Sequence, residues 1–350
     1  MAMLEVEDLK VYYETEQGAV KAVDGVSFEI AEGENLGIVG ESGCGKSTLA
    51  KAIIGILPQN GYIAGGEIRF RGEDLTEMPE KRRRKLRWDE IAMIAQSAMN
   101  ALDPVYTIRE QIVEAIDAHH PGMGRTEAQE RIDEMFDLVG LDRDRQTDYP
   151  HQFSGGMRQR AMIAMALVLE PSLILADEPT TALDVIMQDQ ILKRINSIQE
   201  ETNSSMMVIT HDVAVVAETC DRVVVMYAGE IAEEGPSEAI FDRPYHPYTI
   251  GLKSAFPNIQ ESEQDLVSIG GNPPDLHDPP SGCRFHTRCP LATQQCIDYD
   301  PPEVEVGELR SYCHHVDEID ARLRPVAERE ATWHDEGVRD DATGEGIADD

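Results

Sequence analysis

Three hundred and fifty residues, 41% of them apolar, suffice for one large core with an extension and exclude a chain that is disordered throughout. The longest apolar run, Ala161 to Leu169, is nine residues, well short of the roughly 20 that a membrane-spanning helix needs. Sixty-six acidic against 31 basic residues leave a net charge of −35, which should repel nucleic acid over most of the surface, so no nucleic-acid partner is expected.

Only 8 of the basic residues are Lys; 23 are Arg. The last 24 residues hold 9 acids and 2 bases, so an acidic tail explains a fifth of the net charge. The remainder favours adaptation to molar salt, where the Debye length falls to about 3 Å and self-repulsion is screened. The N-terminus, MAMLEVEDLK, is charged at once; no export segment is expected, and the chain should stay in the cytosol.

Leu4 to Ile30 alternates loosely, as in LEVEDL and VSFEI, and predicts short strands of an antiparallel sheet. Leu36-Gly37-Ile38-Val39 then reads as a buried strand entering a glycine-rich loop, Gly40-Glu41-Ser42-Gly43-Cys44-Gly45-Lys46-Ser47-Thr48. A helix should follow, with Leu49, Ile53 and Ile56 on one face and Pro58 just beyond it. The loop satisfies G-x-x-x-x-G-K-[ST] between strand and helix. Glycines let successive N–H groups turn inward around phosphate oxygens, and the helix N-terminus adds its positive dipole. Lys46 would reach the β- and γ-phosphates, and Ser47 would ligate Mg²⁺. Cys44 fills a place where a small residue is wanted. The helix N-terminus and Lys46 are expected to lower its pKa, so that alkylation should block nucleotide binding.

The basic run Lys81 to Arg87 reads as a solvated helix face balanced by neighbouring carboxylates. Residues 107–170 are mostly helical in pattern, in IREQIVEAIDA, TEAQERIDEMFDLVG and MRQRAMIAMALVLE. Ser154-Gly155-Gly156-Met157 opens the last of these helices and offers a second anion site, from the Ser154 hydroxyl, bare N–H groups and the dipole. Two more buried strands, SLILA and MMVIT, follow. The first leads into Asp177 and Glu178, and ligands of open parallel sheets gather at such strand ends. Asp177 suits Mg²⁺ through its water shell; Glu178 could activate a water against the γ-phosphate. Strands alternating with helices indicate an α/β fold with a parallel sheet and a helical insert. After about Lys253 the composition turns to Pro, Gly and Cys; from Ala327 it is acidic, polar and expected to be disordered.

One nucleotide has little use for two anion sites in one chain. A dimer that sandwiches ATP between the loop of one subunit and the Ser154 helix of the other would use both. At this point the sequence resembles the ATP-binding subunits of ABC transporters, over roughly residues 3 to 325. The loop is similar to the Walker A motif, Leu173 to Glu178 to Walker B, and Ser154 to Met157 to the signature, with Met157 where Gln is usual. The resemblance implies a Q-loop glutamine at Gln96 near Mg²⁺ and the attacking water, a D-loop at Ala182-Leu183-Asp184, a switch histidine at His211, and an adenine-stacking aromatic at Tyr13 in preference to Tyr12. The implied fold is a phosphate-loop NTPase core with a parallel sheet, an N-terminal antiparallel β subdomain, a helical insert, and a small Cys/Pro-rich extension. The implied organisation is an ATPase domain over residues 1–255 with its helical part at about 97–165, an extension at 256–326, and a tail at 327–350.

His246-Pro247-Tyr248-Thr249 and Gly282 to Pro290, with Asn100 to Pro104, resemble the oligopeptide/dipeptide importer branch, of which nickel importers look alike. The resemblance implies an ATPase (ATP and water to ADP and phosphate) coupled to peptide uptake at the cytoplasmic membrane face. Its partners would be a second homologous ATPase subunit, identical or not, integral membrane permeases and, indirectly, an extracytoplasmic solute-binding protein. Nickel or another small solute is the alternative cargo. A soluble ABC ATPase of DNA repair or translation is the rival from another class, but it would need coiled-coil arms or a second cassette.

Six cysteines in a cytosolic chain argue against disulfides. Four cluster at Cys283, Cys289, Cys296 and Cys313, with spacings too wide for a zinc knuckle. Some members of the importer branch hold an iron–sulfur cluster on a similar quartet, so the resemblance implies a [4Fe–4S] centre beside the alternatives of zinc and free thiols. His286, His314 and His315 read as bystanders, and Cys220 as structural.

Overall fold

The computed structural model describes residues 2–95, 101–179, 203–211, 213–254, 268–324 and 332–333, with positions 188, 193, 195–197 and 199. Its first sheet is built by β1 (Ala2–Thr15), β2 (Gly18–Ala31), β4 (Gly61–Phe70) and β5 (Glu73–Asp74), in the order β2-β1-β4-β5, all antiparallel. The short strands expected between Leu4 and Ile30 are two long ones, each of 14 residues. Register shifts at Val6/Leu9 and Leu9/Lys10 break their alternation, which is why the sequence pattern looks loose.

The second sheet is centred on β3 (Asn35–Val39). Beside it run β6 (Ile91–Ile94), β7 (Leu173–Asp177), β8 (Ser205–Ile209) and β9 (Arg222–Tyr227), parallel to one another in the order β9-β3-β8-β7-β6. Successive side chains face opposite cores. Leu173 and Leu175 join Leu36, Ile38, Met207 and Ile209 under the first sheet, whereas Ile174 and Ala176 join Met206 and Val208 against the helical layer. A sheet covered on both faces needs apolar residues at every position, hence the unbroken run SLILA. The expected helices are α1 (Lys46–Ile54), α3 (Ile108–His119), α4 (Arg125–Leu138) and α5 (Gly155–Leu167), with α2 (Glu80–Leu86) on the basic run. Ile56 departs from expectation. Gly55, at φ +72°, ends α1 before it, and Ile56 is 45% exposed rather than on the buried face.

The basic run is less free than its composition suggests. Arg87 donates from Nε to the Ile54 carbonyl, 2.9 Å away, and from its other arm to Gly55, so it closes the C-terminal end of α1. Arg83 turns in to the carbonyls of Leu75 and Thr76, and Arg82 pairs with Glu73.

Past β9 the direction of pairing changes. The strand β10 (Glu230–Pro236) runs antiparallel to β9. The helix α6 (Val213–Thr219) precedes β9, and β10 is followed by the helices α7 (Ser237–Asp242) and α8 (Pro247–Ser254) and the short β11 (Ser268–Ile269). In the cysteine-bearing segment, α9 (Gln294–Asp298) precedes a hairpin of β12 (Glu303–Val306) and β13 (Leu309–Tyr312). Its two-residue turn starts at Gly307, φ +63°. β13 pairs with β10 and thereby extends the main sheet to eight strands.

β10 carries two buried carboxylates side by side. Glu234 faces Arg222 and Arg310 at 3.5 and 2.6 Å. Glu233, 0% exposed, accepts the N–H groups of Tyr245 (2.6 Å) and His246 (3.2 Å) at the start of α8. His246 accepts the Tyr248 N–H at Nδ1, 3.0 Å away, and burial lowers its pKa to about 3. The motif His246-Pro247-Tyr248-Thr249 is thus a buried helix start: His246 as the cap, Pro247 at the first helical position.

Burial pushes the Glu233 carboxyl up to about 7, against the backbone bonds that favour its ionised form. Its folded pKa lies above the unfolded one, so its contribution to stability is full below about pH 4.5 and is lost as the pH rises through 7. Glu233→Gln should remove that slope. Relative to wild type, the variant should gain about 3 kcal/mol of unfolding free energy between pH 4.5 and 8. Denaturant titrations of both chains across that range check it; parallel curves would show that Glu233 ionises freely.

Candidate functional site

The phosphate loop leaves the carboxyl end of β3, whose five residues are all buried. Two glycines are required by geometry. A Cβ on Gly40 (φ +150°) would lie 2.1 Å from the Met226 carbonyl oxygen, and one on Gly45 (φ +109°) 2.1 Å from that of Ala22. Gly45 is also the N-cap of α1, with no side chain over the helix end. Lys46, 7% exposed, donates from Nζ to the carbonyls of Gly40 (2.7 Å) and Glu41 (2.9 Å), so its ammonium is held inside the loop. Thr48 Oγ1 lies 3.0 Å from the Tyr13 hydroxyl; Tyr12 instead donates to Asp24, 2.7 Å away.

The carboxylates stand two strands away. Ser47 Oγ donates to Asp177 Oδ1 at 2.9 Å, so the helix after the loop and the end of β7 meet through this bond. Burial pushes the Asp177 carboxyl above its usual range and the Glu178 charge adds to it, while the Ser47 bond opposes. A serine hydroxyl and a buried carboxylate in contact form the hard oxygen set that Mg²⁺ takes, and these two residues fit it. Glu178 holds φ +49°, a left-handed conformation that costs a side-chain residue about 1–3 kcal/mol. Its N–H bonds the Ile209 carbonyl of β8 at 2.8 Å, and its Oε1 lies 3.3 Å from His211 Nδ1. His211, just past β8, is 66% exposed, and Glu178 17%. The loop, Asp177, Glu178 and His211 thus gather at the carboxyl ends of β3, β7 and β8.

Ser154 precedes α5. It caps α5, accepting the Met157 N–H at 3.3 Å, and is exposed. The first turn holds no acid, and among the described residues nothing outside the helix lies within 4 Å of a Cβ built on Gly155. From the same helix, Gln159, 1% exposed, donates to the Pro179 carbonyl at 2.6 Å and so ties α5 to the turn after Glu178. The sequence reading missed Gln159; a polar residue on the buried side of an apolar helix is the signal it left. Gln96 and Asp184 lie outside the described residues.

The C-terminal extension also reaches the loop. Arg288 grips Glu41 with both arms, at 2.7 and 2.9 Å, and the Tyr248 hydroxyl accepts the Glu41 N–H at 2.8 Å. Arg284 pairs with Glu230 at 2.8 Å and with Asp24, and donates to the Ala228 carbonyl. Sequence reasoning took these residues only as marks of a branch, because no local pattern tells which surface an arginine will meet.

Two expectations about cysteine change. Cys44 is 4% exposed, and burial raises its pKa; the nearby Lys46, 3.6 Å from the sulfur, opposes but does not win. The expected low pKa is therefore corrected, and ready alkylation of the folded chain with it. Second, His315 is no bystander: 8% exposed, it places Nε2 3.3 Å from Cys296 Sγ and Nδ1 3.1 Å from Glu318. The quartet occupies one neighbourhood, since Cys289 feels the charges of Cys313, Cys283 and Cys296. Burial lifts the thiol of Cys283 to about 11 and that of Cys313 to about 12. Among the described residues no three His, Cys, Asp or Glu groups converge tightly enough to hold a metal ion.

Comparison with known proteins agrees with this geometry. The family model described as ABC transporter matches residues 23–181, and that of the oligopeptide/dipeptide transporter C-terminal region matches 232–296. The oligopeptide transport ATP-binding protein OppD of Salmonella typhimurium is 45% identical over 320 residues, covering 91% of this chain and 95% of that protein. The dipeptide transport ATP-binding protein DppD of Bacillus subtilis is 45% identical over 317 residues, 90% of this chain and 93% of that one. Among solved structures, a dimeric, post-hydrolysis ATP-binding cassette bound to ADP and Pi superposes with a TM-score of 0.62. It is 28% identical and covers 67% of this chain and 99% of its own.

Proposed function

Because the chain belongs to the ATPases of ABC transporters, in their oligopeptide/dipeptide branch, we propose that it powers peptide uptake from the cytoplasmic face of a membrane. No helix among the described residues is long and apolar enough to cross one, so the path for solute would belong to permease partners. The observation that carries this reading is the meeting of Lys46, the Ser47–Asp177 pair and the Glu178–His211 pair at one edge of one sheet.

Lys46 leaves its two carbonyls and takes the β- and γ-phosphates, and the N–H groups of the loop wrap the same oxygens. Ser47 and Asp177 would hold Mg²⁺, which would supply positive charge to the phosphates. Glu178 takes a proton from the attacking water, and His211 holds the Glu178 carboxylate and reaches the γ-phosphate. Tyr13, whose hydroxyl meets Thr48, stacks on adenine in this reading. Ser154 serves the nucleotide of a second, homologous subunit, in keeping with an exposed helix end that has no anion of its own. Gln96 and Asp184 complete the set by resemblance, and an external solute-binding protein delivers the peptide.

The cysteine quartet, in this reading, takes a [4Fe–4S] cluster. A single zinc, at about 2.3 Å from each sulfur, wants the thiolates close together; a four-iron cube accepts a wider set, and here Cys296 and Cys313 are buried and Cys283 and Cys289 half-buried. Iron and sulfide assays on anaerobically purified chain decide this. The acidic surface is read as salt adaptation.

The test is MgATP binding and hydrolysis by the full chain in molar KCl and in dilute buffer, with co-purification of integral membrane proteins. Lys46→Ala should lower ATP affinity about 100-fold, since it removes a buried charge from the phosphate contacts. Undiminished hydrolysis by that variant would overturn the proposal, and unchanged activity in dilute buffer would remove the salt reading.

A further inference from the structure

Glu41, the second residue of the phosphate loop, is fastened at every polar group. Its N–H goes to the Tyr248 hydroxyl, its carbonyl accepts Lys46 Nζ, and its carboxylate is gripped by Arg288. The Arg288 side chain is only 4% exposed, against 25% for Glu41. Arg288 is itself held: Nε donates to the Gly270 carbonyl (2.8 Å), one arm meets the Tyr227 hydroxyl (3.2 Å), and the guanidinium lies 5.7 Å from the Tyr227 ring centre. Its place in the chain, next to Cys289, puts it in the extension and 247 residues from the loop it touches.

We propose that Arg288 is a positioning residue for nucleotide binding, acting through Glu41; the inference rests on the nucleotide-site reading above. When Lys46 turns to the phosphates, the loop gives up the two carbonyl bonds that Lys46 made. Among the described residues, the bonds from outside the β3–α1 unit that still fix the loop are the Arg288 fork and the Tyr248 hydroxyl, both on Glu41, and the Gly229 N–H on the Cys44 carbonyl at 3.0 Å. A bidentate guanidinium–carboxylate pair in a half-buried site sets both distance and plane, which a single point charge does not. The loop is thereby kept in a shape ready for phosphate, and the cost of ordering it is met in advance. The extension thus supplies part of the ATP site of its own chain.

The experiment is steady-state MgATP hydrolysis by the full-length chain. Arg288→Gln should raise KM about tenfold and keep kcat within about threefold, the pattern of a lost ground-state contact. Glu41→Gln should do the same, and the double variant should be no worse than either single change, because both break one link. Arg288→Lys should recover part of the loss, as one ammonium replaces one of the two bonds. A purely structural arginine would lower the melting temperature and leave KM alone. A Glu41→Gln KM within about twofold of wild type, or effects that multiply in the double variant, would overturn the proposal. If Arg288→Gln does not fold, Glu41→Gln decides alone, since Arg288 keeps its bonds to Gly270 and Tyr227. Failure of the underlying reading looks different: there wild type itself would not respond to ATP, or Lys46→Ala would behave as wild type.

Discussion

Glu178→Gln should cut ATP turnover by about 1000-fold while ATP still binds. The change keeps the size of the side chain and an oxygen near His211, but removes the carboxylate proposed to take a proton from water. Binding should not suffer. The Glu178 charge raises the neighbouring Asp177 carboxyl, so its loss makes Asp177 a readier anion for Mg²⁺. The strained φ of +49° at position 178 is inherited unchanged. With hydrolysis blocked, ATP-loaded chains should accumulate as pairs, seen as a doubled mass in size-exclusion chromatography with light scattering. Turnover within tenfold of wild type would show that another group is the base.

Gly45→Ala should be nearly as severe for a different reason. The added Cβ would sit 2.1 Å from the Ala22 oxygen and 3.2 Å from its carbonyl carbon, and these are backbone atoms of β2 that no side-chain rotation relieves. A displacement of the loop by about 1 Å is the way out, and misplacement on that scale can cost 100-fold. ATP affinity should fall by about that factor, and unfolding free energy by about 3 kcal/mol, from strain and disturbed packing. Gly43→Ala is the natural comparison. It shares a positive φ, +83°, but among the described residues its Cβ meets nothing within 4 Å, so it should lose only about 1–2 kcal/mol of stability. Calorimetric titration with ATP and thermal melts of both variants check the ranking; equal effects would mean that φ, not contact, governs the loop.

The placement of the motifs was legible because each is a short stretch tied to one strand end. Gly40 to Thr48 follows β3, Asp177 and Glu178 close β7, and His211 follows β8; apolar runs of five residues mark those strands without a partner being known. What remained hidden was long-range. That Arg288 meets Glu41, or that Gln159 meets the Pro179 carbonyl, depends on how elements far apart in sequence are packed. Cys44 went astray for a related reason. Lys46 and the helix end are visible in sequence and would lower its pKa, but burial under Gly40 and Met226 is not, and burial is the larger effect. Ile56 failed through one glycine, whose left-handed turn ended the helix two residues before the apolar pattern did.

The hairpin Glu303–Tyr312 has a bearing on how the molecule tolerates cleavage. Ser311 and Arg310 supply the outer ladder partners of Glu233 and Glu234, so a polypeptide ended at Ser254 would not be a trimmed ATPase. It would bare a strand with unpaired amides and strip Glu234 of one of its two guanidinium neighbours. Such a fragment should seek its missing strand in a second fragment and associate side by side, which makes the cysteine-rich end a built-in guard against fibre-like growth.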